Sequence, residues 1–160
     1  SSIIKRKYVR YFIAKLLISW YTICMKENLI HYRTCVCNIN YHMVWSVKYR
    51  RKILNAEVEA YLQELVQEIA EDKGFTVHLF ECGEGDHVHC FVSAPPKLSI
   101  TVIVKYLKGI SGRKLFERFP EIRNQLWKGE LWNHSYYVET VGSVSEENIR
   151  RYIEHQSKNY

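Results

Sequence analysis

Asp86-His87-Val88-His89-Cys90-Phe91-Val92 is the stretch from which the rest of the chain is read. It alternates in character as a half-buried strand does. Successive side chains on a strand point to opposite faces, so His87 and His89 project together while Val88, Cys90 and Val92 face the other way. Two imidazoles two residues apart make half of a metal site. A half-exposed strand that merely carries two histidines has the same spacing, so the pair by itself does not decide between these readings.

Working outward, Gly83-Glu84-Gly85 is a turn that joins this strand to a preceding one, Phe75 to Cys82, as a hairpin. Before it, Asn55 is placed to cap a helix in which Val58, Leu62, Leu65 and Ile69 recur at helical spacing, with Gly74 as its stop. Upstream lies a strand from Asn38 to about Lys48, with Ile39, Tyr41, Met43, Trp45 and Val47 on one face. Asn40, His42, Val44, Ser46 and Lys48 share the other face. Downstream, Ala94-Pro95-Pro96 ends the histidine strand. Ser99 caps a helix with Ile103, Tyr106, Leu107 and Ile110 inside, Lys105 and Lys108 on its exposed flank, and Gly109 and Gly112 weakening its end. Leu131 to Val141 alternates as a fourth strand, with Trp132, His134, Tyr136 and Val138 on one side. Ser145 with Glu146 and Glu147 opens a last helix, where acids favour the helix dipole.

The order strand-helix-strand-strand-helix-strand-helix predicts an α+β fold, ferredoxin-like or RRM-like. Helices cover one face of its antiparallel sheet, and a C-terminal helix follows. The apolar strand faces meet the helices, which leaves His87 and His89 on the open face.

Bulk properties agree with one domain: 160 residues suffice for a real core. The net charge of +6 is uneven. Residues 1–24 carry Lys5, Arg6, Lys7, Arg10 and Lys15 and no acid, which leaves 18 of the 23 Lys and Arg against all 17 acids in the rest. Within that remainder Glu57, Glu59, Glu64, Glu68, Glu71 and Asp72 crowd one helix. The segment around Lys105, Lys108, Arg113 and Lys114 is basic. A basic face suits a polyanion; a solvated charged surface has the same composition. The apolar run within residues 11–24 is too short for a bilayer and broken by Lys15, so no membrane span is expected. Residues 1–24 read as an N-terminal extension upstream of a natural start at Met25, with 25–160 as the single functional domain. The five cysteines are odd in number and form no Cys-x-x-Cys pair, which reads as reduced thiols in a cytoplasmic protein.

In the last helix Tyr152 and Gln156 stand four apart and stack on one face, bordered by Ile149 and Ile153. That face suits a core tyrosine with a glutamine at its rim. It also suits docking against the histidine strand, with the phenol beside a metal held by His87, His89 and the Gln156 amide oxygen.

Several segments in this order carry a more specific pattern: Tyr41-His-Met-Val-Trp-Ser-Val-Lys-Tyr-Arg-Arg51, Asp86-His-Val-His89, Pro95-Pro-Lys-Leu-Ser99, Lys105-Tyr-Leu-Lys-Gly109, Leu131-Trp132, Tyr137-Val138 and Tyr152-Ile-Glu-His-Gln156. From about residue 30 to its end the chain resembles the single-tyrosine HUH transposases of the insertion-sequence 200/605 family. Cys90, where an aliphatic residue is usual, is a mild departure, and residues 1–24 fall outside the pattern.

The resemblance implies a prokaryotic DNA transposase that moves an element as single-stranded DNA and recognises hairpins at its ends. It implies a homodimer in which the tyrosine helix of one subunit completes the histidine site of the other. Tyr152 would be the nucleophile, forming a 5′-phosphotyrosyl intermediate. His87, His89 and Gln156 would hold a divalent metal, Mg²⁺ or Mn²⁺ by the oxygen ligands, although imidazoles also admit Zn²⁺. Phosphate contacts are expected from Lys48, Arg50, Arg51, Lys105, Lys108, Arg113 and Lys114. Trp45, Tyr49 and Trp132 are either base-stacking platforms or core residues, with burial the commoner fate of large rings. Glu81 and Asp86 flank the hairpin, where turn and surface roles are the commoner ones and orienting a histidine ring is the alternative. Two other readings share the fold. A non-catalytic RRM-like nucleic-acid-binding module would bind without metal and form no adduct. A related enzyme, such as a host-adopted palindrome-processing relative or a relaxase, would share the chemistry.

Overall fold

Asn40–Ser46 alternates as the sequence predicts, and in the computed structural model it is the strand to which the sheet is anchored on both sides. The structure describes residues 29–126, 129–142 and 151. The expected extension 1–24, the start at Met25, Tyr152 and Gln156 lie outside them. In chain order the elements are β1 (Ile30–His31), β2 (Val36–Cys37), β3 (Asn40–Ser46), α1 (Ala56–Lys73), β4 (Thr76–Gly83), β5 (His87–Ser93), α2 (Ile100–Arg118), α3 (Pro120–Asn124) and β6 (Tyr137–Val141). β1 and β2 make a short antiparallel pair that the sequence pattern did not reveal.

The main sheet runs β4-β5-β3-β6, every neighbour antiparallel. The connection through α1 steps over β5, and that through α2 steps over β3. These are the two split crossovers of the ferredoxin-like arrangement that the element order predicts. Both helix starts follow their caps. The Asn55 side chain accepts from the Val58 N–H and the Ser99 hydroxyl from that of Val102, while Gly74 closes α1 in the left-handed conformation. The core lies between helices and sheet. Met43, Trp45 and Val47 from β3 and its extension, and Val88, Cys90 and Val92 from β5, meet Val58, Leu62, Val66, Ile103 and Leu107 from the helices.

Two expectations need correction. The fourth strand starts at Tyr137, not at Leu131; before it only Trp132 bridges, to Val47. In the segment before it, the ammonium of Lys108 collects the carbonyls of Asn133, His134 and Ser135. Trp132 turns into the core instead, donating from Nε1 to Ser111 Oγ at 2.9 Å and packing edge-on against Trp45.

The second correction concerns α2, which continues through Gly109 and Gly112 to Arg118. Beyond the glycines Ser111 and Leu115 are still buried, and that packing outweighs the propensity cost. A β-carbon at Gly109 would meet nothing within 4 Å. Gly109→Ala is therefore expected to raise the unfolding free energy by about 0.5–1 kcal/mol by removing chain entropy from the unfolded state. A higher urea midpoint at constant slope would show it; a lower midpoint would contradict it.

Candidate active site

β5 carries His87 and His89 on the sheet face opposite the helices, their ring centroids 5.1 Å apart. Pairing aligns His87 with Ser46 of β3 and Gly83 of β4, and His89 with Val44 and Glu81. The centre of this face is not open as expected. His42 and Phe91 are fully buried there, with rings stacked at 4.5 Å.

The tight turn into β5 sets the first histidine. Glu84 and Gly85 both take left-handed backbone, and Asp86 N–H returns to the Gly83 carbonyl. This is the turn geometry that two-residue reversals between antiparallel strands favour. Asp86 is thereby buried beside the ring it precedes, its Oδ1 2.7 Å from His87 Nδ1, while Oδ2 takes the Arg50 guanidinium at 3.0 Å. Of the two roles weighed for Asp86, the structure places it against the histidine. A carboxylate only accepts, so His87 Nδ1 carries the proton of this bond.

His89 is held from the other side. Its Nδ1 lies 3.2 Å from Nε2 of His42, whose Nδ1 lies 3.2 Å from Glu139 Oε1. Tyr137 donates to the other oxygen of Glu139. Burial, reinforced by the nearby His42 and His87, pushes the His89 imidazole down to about 4. Burial also lowers His42, against the pull of Glu139. Both rings are neutral at neutral pH, the form that ligates metals. Two imidazoles side by side, one backed by a carboxylate, are a donor set that fits a divalent cation. Among the described residues no three of His, Cys, Asp and Glu gather as a complete metal cage.

The remaining expected residues spread out. Arg50 reaches the histidine end through Asp86, from a turn in which Tyr49 and Arg50 both have positive φ, of 58° and 53°. Arg51 is exposed beside it. Lys48 is paired with Glu130. Lys108 is half-buried against the 133–135 carbonyls rather than on an open flank, and burial lowers its pKa. Lys105 is exposed on α2, whereas Arg113 and Lys114 stand near Glu117 at 3.9 and 3.5 Å, the kind of exposed pair that contributes little. Trp45 and Trp132 are core residues; of the three aromatics only Tyr49, 59% exposed, offers a ring to solvent. His42 and Glu139 had no role in the sequence reading. Their signal was present, since His42 shares the strand face of Val44 and Ser46, but which residues it meets depends on strand register.

The sequence profile described as "Transposase IS200 like" matches residues 35–156. The chain belongs to this family of transposases, and as such it is a DNA transposase. It is 40% identical over 124 residues to the ISDra2 transposase TnpA of Deinococcus radiodurans, covering 78% of this chain and 88% of that protein. It is 34% identical over 131 residues to the transposase for insertion sequence element IS200 of Salmonella typhimurium, covering 82% and 83%. A crystal structure of a candidate transposase from Deinococcus radiodurans R1 superposes with a TM-score of 0.65 at 37% identity, over 79% of this chain and 97% of that one. The structure of a REP-associated tyrosine transposase bound to a REP hairpin, 13% identical with a TM-score of 0.50 over 83% and 76%, shares the fold.

Proposed function

We propose that residues 25–160 form a single HUH transposase domain that cuts and rejoins single-stranded DNA at an element's ends, with Tyr152 as nucleophile. The observation that carries this reading is the pair of neighbouring imidazoles, His87 and His89, on one sheet face in a transposase-family chain. A phenol with a pKa near ~10 is a weak nucleophile at neutral pH. When bound at His87, His89 and the Gln156 amide oxygen, Mg²⁺ or Mn²⁺ supplies positive charge to the scissile phosphate.

The chain's own residues do the rest. The Tyr152 oxygen attacks phosphorus in line and loses its proton to solvent. The phosphorus–3′-oxygen bond breaks and the departing oxygen takes up a proton as a free 3′-OH. The 5′-phosphotyrosyl bond conserves the phosphodiester's energy, so joining to a new 3′-OH needs no nucleotide. Arg50 and Arg51 at the histidine end, with the exposed Lys105, Arg113 and Lys114, hold the DNA backbone, whereas Lys48 and Lys108 would first have to leave Glu130 and the 133–135 carbonyls. Tyr49 is exposed where an unpaired base could stack.

Hairpin recognition is supported by the distant structural neighbour described as bound to a hairpin. A homodimer with shared sites and a place in the prokaryotic cytoplasm follow from the family reading. Among the described residues no helix is long and apolar enough to cross a membrane.

The test is incubation of the purified chain with single-stranded element ends bearing their hairpins and Mg²⁺. A protein–DNA species that survives a denaturing gel and disappears with EDTA is expected. Hairpin binding with no covalent species, with or without metal, would replace this reading with that of a non-catalytic binding module.

A further inference from the structure

His42 is an imidazole with no exposure, bonded at both nitrogens, on a strand that does not carry the metal-binding pair. Its ring and that of His89 are almost coplanar, 5° apart, with centroids separated by 5.4 Å and facing nitrogens by 3.2 Å. The nitrogens therefore lie close to the line joining the rings, and the bond runs in their common plane, where an imidazole's lone pair and N–H both point.

Proton placement along this chain follows from its far end. Glu139, as a carboxylate, only accepts, so His42 Nδ1 is its donor. A neutral His42 then has only a lone pair at Nε2, so His89 must donate from Nδ1. That leaves His89 Nε2 as a lone pair. We infer that His42 and Glu139 are positioning residues that hold His89 in its Nδ1–H tautomer, presenting Nε2 to the divalent cation, as Asp86 does directly for His87.

The inference rests on the metal reading above but assigns two residues that reading does not use. Strand register builds the chain. Pairing sets His42 opposite Glu139 on one side and opposite Phe91 on the other, two residues along β5 from His89. The buried stack on Phe91 keeps the ring upright between its two partners.

The test uses the full chain labelled with ¹⁵N-histidine, long-range ¹H–¹⁵N spectra to read tautomers, and calorimetric titration with Mn²⁺. In the native chain His89 is expected as Nδ1–H. His42→Phe keeps a ring on Phe91 but has no acceptor; His89 should lose its single tautomer and Mn²⁺ affinity should fall about 10–100-fold, the usual effect of removing a partner behind a ligating histidine. Glu139→Leu, at a side chain 32% exposed where folding is safe, should act in the same direction. His42→Gln, whose amide can accept from His89 and donate to Glu139, should recover most of the loss.

If both His42→Phe and Glu139→Leu keep His89 as Nδ1–H and bind Mn²⁺ within about twofold of native, the inference is wrong. Should His42→Phe fail to fold, Glu139→Leu decides alone. A native chain that takes up no Mn²⁺ would remove the metal reading instead, and the tautomer change would still report on the relay.

Discussion

Tyr152→Phe is expected to bind hairpin DNA nearly as the native chain does and to form no covalent adduct at all. Phosphate contacts supply most of the affinity for nucleic acid, and this substitution removes none of the cations that make them. It removes one oxygen, the atom that would bond to phosphorus, and a benzene ring offers no substitute. Retained binding together with a vanished adduct on a denaturing gel is the expected pair of results. An adduct in the Phe variant would take the nucleophile's role from Tyr152. The same variant tests the shared site. Mixed in equal amounts with His87→Ala and allowed to exchange, it should restore about a quarter of the native number of intact sites, because each mixed dimer combines one native histidine pair with one native tyrosine. No recovery would place both halves of a site in one subunit.

Gly83→Ala is expected to leave the fold nearly as stable as before and to reduce cleavage about 100-fold or more. A β-carbon at position 83 would lie 2.5 Å from Cε1 and 3.0 Å from Cδ2 of His87, and closer still to Nε2. No atom can share that space, and what gives way is the end of a side chain, not backbone, so the stability cost is small. Once moved, the ring no longer meets Asp86 at 2.7 Å with Nε2 aimed as before. Misplacing a reacting group by about 1 Å costs on that scale in rate. Thermal melting close to native with cleavage lost is the expected outcome. Cleavage within a few-fold of native would mean that His87 works from another position. Gly83 has no positive φ, unlike Gly74 and Gly85, so space rather than backbone conformation demands the missing side chain.

That distinction shows how far the sequence could be read. Gly83, Glu84 and Gly85 were legible as a turn because reversal is a local property. That His87 folds back over Gly83 depends on the β4–β5 register, which composition does not carry. Asp86 looked better suited to a turn or the surface, and its burial between His87 and Arg50 sets it against the ring instead. Lys108 counted as an exposed cation because its helical position faces outward; three carbonyls of the 133–135 segment occupy it instead. The captured carbonyls lie just ahead of the shortened fourth strand. Burial was the favoured reading of Trp45 and Trp132, but that they meet edge to edge in the core is a product of the sheet.

By itself the sequence determined what depends on neighbours along the chain: the period-two strands, the helix caps at Asn55 and Ser99, the stop at Gly74, the element order that yields a split-crossover sheet, and the projection of His87 and His89 from one face. Tertiary structure alone decided what depends on pairing across distance. It set Glu139 and His42, 97 positions apart, in contact, and brought His42 against His89 across 47 more. The physical reason is that alternation specifies a face, whereas a hydrogen bond between strands needs a register, and register is settled only when the whole sheet packs its apolar side on the helices.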